Sequence, residues 1–202
     1  MKIFRLFRQS AEELKDLRSV IVTGLLIAVS MAIESFTIQL GFAKINFAFL
    51  AIAAIGMLYG PTVGFFAGAV CDVLGFLVAP DGGFLPLYTL IGAVQGLLYG
   101  LIAYRRLCKR KTVSANPYAN PAQLIRLCIA RIVDVLLINL VCNTAANYHY
   151  GFLGDKTLGA AIAARVLKNV IELPFDLILI AAILLAVLTA YEMTFAKKRS
   201  AA

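Results

Sequence analysis

Five polar residues share one stripe of an otherwise apolar stretch near the end of the chain. Arg165, Lys168, Asn169, Glu172 and Asp176 fall at i, i+3, i+4, i+7 and i+11, which is a single helical face. Their neighbours are Val, Leu, Ile and Ala, so the helix is written for lipid, where each polar group is costly without a partner. Such a face must meet protein or a watery cavity. A second stretch carries Arg131 and Asp134 at i, i+3, then Asn139 and Asn143 at i, i+4. Asp72 sits near the middle of a third stretch, and Glu34 near the end of the first. By depth, Glu34, Asn139, Asn143, Arg165, Lys168 and Asn169 belong to the outer halves of their spans. Amides with two cations and one acid suit a polar ring bearing an anionic tail: amides read donor and acceptor edges, and cations hold carboxylates. A satisfied interhelical network is the other use of the same set. Asp72 and Arg131 lie roughly 15 Å and 10 Å from the inner ends of their spans, and are candidates for a structural ion pair.

Other chemistry has little support. His149 is the single histidine, and Cys71, Cys108, Cys128 and Cys142 show no C-x-x-C spacing, so no metal site is expected. The chain lacks G-x-x-x-x-G-K-[ST], G-x-S-x-G and H-E-x-x-H, so neither P-loop ATP hydrolysis nor these hydrolase chemistries are available to it. No catalytic residue and no cofactor is expected.

The elements that position these residues follow from the solvent. Hydrophobic residues make up 61% of the 202 positions, charged residues only 15%, and the mean hydropathy is +0.88, which places the chain in lipid. An all-α membrane protein with six transmembrane helices is expected, over residues 20–37, 45–59, 62–79, 85–104, 124–142 and 158–191. The last is too long for a plain crossing, and Pro174 is expected to kink it. The whole chain, 1–202, reads as one membrane domain: an interfacial segment 1–19, the bundle 20–191 and a cytoplasmic tail 192–202. The net charge of +8 is distributed for membranes and not for nucleic acid. Lys2, Arg5, Arg8, Lys15 and Arg18 precede the first span; Arg105, Arg106, Lys109, Arg110 and Lys111 share one loop; Lys197, Lys198 and Arg199 close the chain. Only Lys44 and Lys156 fall in connections on the other side. This bias puts both termini in the cytoplasm.

Small residues recur every four positions. Gly64 and Gly68, then Gly92, Gly96 and Gly100, predict close packing between spans within the chain. Gly24, Ala28 and Ala32 make a smooth stripe on the first span that suits either internal packing or a partner protein.

Several motifs follow in order: Ile45-Asn46-Phe47-Ala48-Phe49, Gly56-Met57-Leu58-Tyr59-Gly60-Pro61, Gly64, Gly68, Asp72, Pro80-Asp81-Gly82-Gly83-Phe84, Thr89 and Gly96-Leu97-Leu98-Tyr99-Gly100. A second block adds Arg131, Asn139, Asn143-Thr144, Tyr150-Gly151, Arg165, Lys168-Asn169 and Pro174. Their order resembles the substrate-binding S components of energy-coupling factor (ECF) vitamin transporters, most closely the folate family. The resemblance implies a non-enzymatic, six-helix S component of the bacterial cell membrane that binds folate on its extracellular side. Its partners would be a transmembrane coupling protein and two ATPase subunits. It also implies that Lys44 and Asn46 join Asn139, Asn143, Arg165, Lys168 and Asn169 as substrate-binding residues, and that Gly24, Ala28 and Ala32 dock on the coupling protein. An S component for another vitamin, such as thiamine or pantothenate, is the alternative; a small membrane enzyme or a channel stands further off.

Overall fold

The computed structural model describes residues 2–35, 38–40, 43–45, 47–78, 83–104, 121–152, 157–191 and 193–194. Helix α1 (Lys2–Glu13) leads into α2 (Leu17–Ser35). A small antiparallel hairpin follows, β1 (Ile38–Leu40) with β2 (Ala43–Ile45), in the register Ile38 to Ile45. Then come α3 (Phe49–Tyr59), α4 (Pro61–Val78), α5 (Pro86–Ala103) and α6 (Pro121–Asp134). The last continues through a π-helical segment, Val135–Cys142, into α7 (Asn143–His149). Helix α8 (Leu158–Leu179) likewise passes through a π segment, Ile180–Leu184, into α9 (Leu185–Tyr191).

Among the described residues four stretches are long and apolar enough to cross a membrane: Leu17–Glu34, Pro61–Val78, Pro86–Ala103 and Leu158–Tyr191. Residues 121–149 form a further continuous helical rod. Two expectations change. The connection 38–44 is a small hairpin and not a plain loop, set in an otherwise helical bundle. The second span begins at Phe49 and not Ile45, because Ala43–Ile45 is used by the hairpin. Asn46, the Pro80-Asp81-Gly82 turn, Arg105–Lys111 with Cys108, Lys156 and the tail cations lie outside the described residues.

Helix α3 is the axis of the bundle. All eleven of its residues are buried, which is what an all-round apolar helix requires. Ile55, Met57 and Tyr59 share one core cluster with Leu127 from α6 and with Ile180, Leu184 and Leu185 from the second π segment and α9. Proline opens α4, α5 and α6, where its fixed φ favours helix and its missing N–H is not needed. Gly60 ends α3 at φ 90°, a conformation that disfavours side chains, and its N–H reaches the Gly56 carbonyl.

Helices α4 and α5 meet backbone to backbone. A Cβ at Gly68 would lie 2.0 Å from the Gly92 carbonyl oxygen, and one at Gly96 would lie 2.0 Å from that of Gly64. The four-residue glycine spacing is therefore a seam within the chain. In lipid, where burial from water is not the driving force between helices, such close contact supplies the attraction.

The two ends of the bundle differ. One gathers α1, the Gly60-Pro61 turn, Tyr104 and the start of α6, where Gln123 donates to the Ala103 carbonyl. The other holds the C-terminal half of α4, the start of α5, α7 and the start of α8, and there the polar side chains converge.

Candidate functional site

The inward face of α8 is the stripe read from the sequence. Arg165, Lys168, Asn169 and Glu172 are half-buried and Asp176 is buried, while Val166, Leu167, Val170, Ile171 and Phe175 between them are exposed. Threonine fixes where this helix starts: the Thr157 hydroxyl accepts from Ala160 N at 3.3 Å.

Arg165 meets the first π segment. Its Nη1 donates to the main-chain carbonyl of Asn139 at 3.0 Å. The π geometry prepares that acceptor, because Asn143 N bonds to Ile138 O, five residues back, and not to Asn139 O. Asn143 Nδ2 in turn donates to Asn139 Oδ1 at 3.3 Å. Lys168 Nζ lies 3.5 Å from Glu172 Oε1, one turn along the same helix. The structure thus brings Asn139, Asn143 and Arg165 together, with Lys168 and Asn169 on the same face of α8. Lys44 lies on β2, and its side chain, with Asn46, is outside the described residues.

Aromatic and polar groups missed in the sequence join this end. The Tyr88 hydroxyl donates to Asn147 Oδ1, tying α5 to α7. The rings of Tyr88 and Tyr150 stack at 6.0 Å with an interplanar angle of 25°. Beneath them Ile91, Ile138 and Ala146 form a small apolar floor with Leu87 and Cys142 packed against it. Only the motif position of Tyr150 and the placing of Tyr88 in the first turn of a span hinted at this group.

Asp72 and Arg131 do not pair, which corrects the expectation drawn from depth. Asp72 Oδ2 accepts from Thr89 Oγ1 at 2.5 Å, linking α4 to α5. Arg131 is held by two other carboxylates. Its Nε and Nη2 donate to Asp176 Oδ2 at 3.0 and 2.7 Å, and its Nη1 to Asp134 Oδ2 at 2.6 Å. Gln95 and Tyr99 also donate to Asp134 Oδ2, at 3.1 and 3.2 Å, and the Phe49 ring lies 3.7 Å from the guanidinium carbon. This cluster joins α3, α5, α6 and α8. Sequence depth ordered the charges along the membrane normal, but it could not say which faces meet.

Glu34 reaches α4, where its Oε2 would lie 3.3 Å from a Cβ at Gly75. On α2, Gly24, Ala28 and Ala32 are exposed, and a Cβ at Gly24 would meet nothing within 4 Å. Among the described residues no group of three His, Cys, Asp or Glu is arranged to hold a metal.

A helical bundle with apolar stretches long enough to cross a membrane, and with amides, cations and stacked tyrosines gathered at one end, defines a membrane protein. The chain belongs to the S-component family of ECF transporters: the family described as "ECF-type riboflavin transporter, S component" matches residues 15–192. The family is a transporter component and not an enzyme. The chain is 28% identical over 168 residues to the folate transporter FolT of Clostridium novyi (strain NT), covering 83% of this chain and 88% of that protein. It is 27% identical over 167 residues to FolT of Streptococcus mutans serotype c, covering 81% and 83%. A crystal structure of FolT bound with folic acid superposes with a TM-score of 0.62 at 28% identity, covering 81% of this chain and 90% of that one.

Proposed function

We propose that this chain is the folate-binding S component of an ECF importer. It captures folate at the end of the bundle bearing Arg165, Asn139 and Tyr88, and passes it to a transmembrane coupling protein driven by two ATPase subunits. The observation that carries the reading is the polar face of α8, where Arg165 reaches the Asn139 main-chain carbonyl next to the Asn139–Asn143 amide pair and Lys168 follows on the same face. A folate offers an amide-like pterin edge to such amides and a glutamate tail to such cations. Riboflavin, which the family description names, has no anionic tail, so the two cations favour folate. The folate transporters and the folic acid complex among the relatives support the same choice.

The chain crosses the bacterial cell membrane six times in this reading, with α3 and the rod 121–149 supplying the crossings beyond the four long apolar stretches. Both termini are cytoplasmic. In support, Arg5, Arg8, Lys15 and Arg18 lie at the end of the bundle where Tyr104 leads into the basic loop. Helix α1 rests on the inner leaflet, with Ile3 and Phe4 exposed beside Arg5. The open stripe Gly24, Ala28 and Ala32 is the docking face for the coupling protein.

The test is a titration of the purified chain, without ATP, by folic acid, riboflavin, thiamine and biotin. Folic acid binds most tightly. Tighter binding of riboflavin or another of these vitamins would overturn the folate assignment.

A further inference from the structure

Helix α8 carries the cations of the proposed site, yet little of it is inside the protein. Of its 22 residues only Ala161 and Asp176 are buried. The chain beyond it is anchored differently, since Ile180, Leu184, Leu185 and Leu188 all enter the main core. Pro174 has no N–H for the Val170 carbonyl, yet α8 runs unbroken past it from Leu158 to Leu179, so a constraint at Asp176 reaches the cations. The arm that bears Arg165 and Lys168 needs a fixed point near its base. Asp176 is the buried polar residue in that place, and Arg131 grips it through two donors.

Arg131 is itself immobilised. Asp134, Tyr99 and the Phe49 ring hold the guanidinium from α6, α5 and α3, and its exposure is 5%. A buried ion pair is a poor way to gain stability, because apolar replacements often serve as well. Its particular property is direction: Nε and Nη2 converge on the single oxygen Oδ2, which fixes the distance and bearing of that oxygen from α6. Rotation matters here, because Arg165, Lys168 and Asp176 share one face, and turning Asp176 away would turn the cations toward lipid.

We propose that Arg131 and Asp176 are positioning residues for the binding site. Their ion pair sets the rotation and tilt of the α8 arm, so that Arg165 and Lys168 face Asn139 and Asn143. The inference rests on the folate reading only for the ligand used in its second readout.

The first readout needs no ligand. In Asp176→Asn, amide hydrogen exchange over residues 161–173 rises tenfold or more, while α4 and α5 keep their wild-type rates. The second compares folic acid with an uncharged pterin that lacks the glutamate tail. Affinity for folic acid falls at least tenfold and affinity for the pterin stays within threefold, because only the tail meets the arm. Unchanged exchange over 161–173, or a rise spread equally over α4 and α5, would overturn the proposal, as would equal losses for both ligands. Should Asp176→Asn not fold, Arg131→Lys takes its place, since it keeps the charge but cannot fork. A wild-type chain that ignores folic acid would defeat the functional reading and leave the exchange result to decide the positioning role.

Discussion

The Ser10 hydroxyl lies 3.0 Å from the backbone nitrogen of Thr62, fifty-two positions away, and caps a helix to which it does not belong. It also accepts from Val63 N at 3.2 Å and donates to the Tyr59 carbonyl at 2.7 Å. Helix α4 needs this help, because Gly60 at its start offers no side chain. The packing is tight: a Cβ at Gly60 would lie 2.9 Å from that of Ser10.

Ser10→Ala should therefore destabilise the fold by about 1–3 kcal/mol, the cost of leaving buried polar groups without a partner. Thermal unfolding in detergent measures this. Ligand affinity should hardly change, since Ser10 is at the end of the bundle opposite Arg165.

The α4–α5 seam should reject even one methyl group. Gly96→Ala would force its Cβ against the Gly64 carbonyl and should cost about 1–3 kcal/mol or more. Gly159→Ala, where nothing lies within 4 Å, is the control and should leave the melting temperature unchanged or higher. Equal melting of the two variants would contradict the seam.

Removing Arg165 should weaken folate binding more than removing Lys168. Arg165 now contacts a neutral carbonyl, so its charge is available to an anion, whereas Lys168 already faces Glu172. Arg165→Ala should cost about 2–5 kcal/mol in affinity, as loss of a partner from a buried charge pair does. Calorimetry of the two single variants decides the order.

On α2, bulk should separate transport from binding. Ala28→Trp and Ala32→Trp place large rings on a face that is open within the chain, so solitary folate affinity should stay near wild type. Uptake in cells carrying the coupling module should be lost, because a partner helix could no longer approach. A collapse in affinity with assembly of the complex intact would reassign the stripe to internal packing.

Much of the helical framework was legible because lipid permits few alternatives. Long apolar runs marked the helices, although α6 starts at Pro121, three residues before the expected span. The polar face of α8 was legible too, because periodicity reports which residues share a side. What periodicity omits is the neighbour. Depth offered Asp72 to Arg131, and only the order of helices in the bundle shows that Asp176 is the partner. The hairpin escaped because Ile38-Gln39-Leu40 and Ala43-Lys44-Ile45 alternate over too few residues to stand apart from a loop. The Tyr88–Asn147 link escaped for a different reason: aromatic residues near helix ends look alike whether they face lipid headgroups or each other.

A contact made of backbone alone has no rotamers. At most helix interfaces side chains can hop between conformers and let one helix creep past its neighbour, but Gly64, Gly68, Gly92 and Gly96 leave nothing to hop. The joint between α4 and α5 has a single setting. A joint of that kind would carry these two helices as one plank, and any change of shape that lets a solute in or out would fall to the helices packed around them.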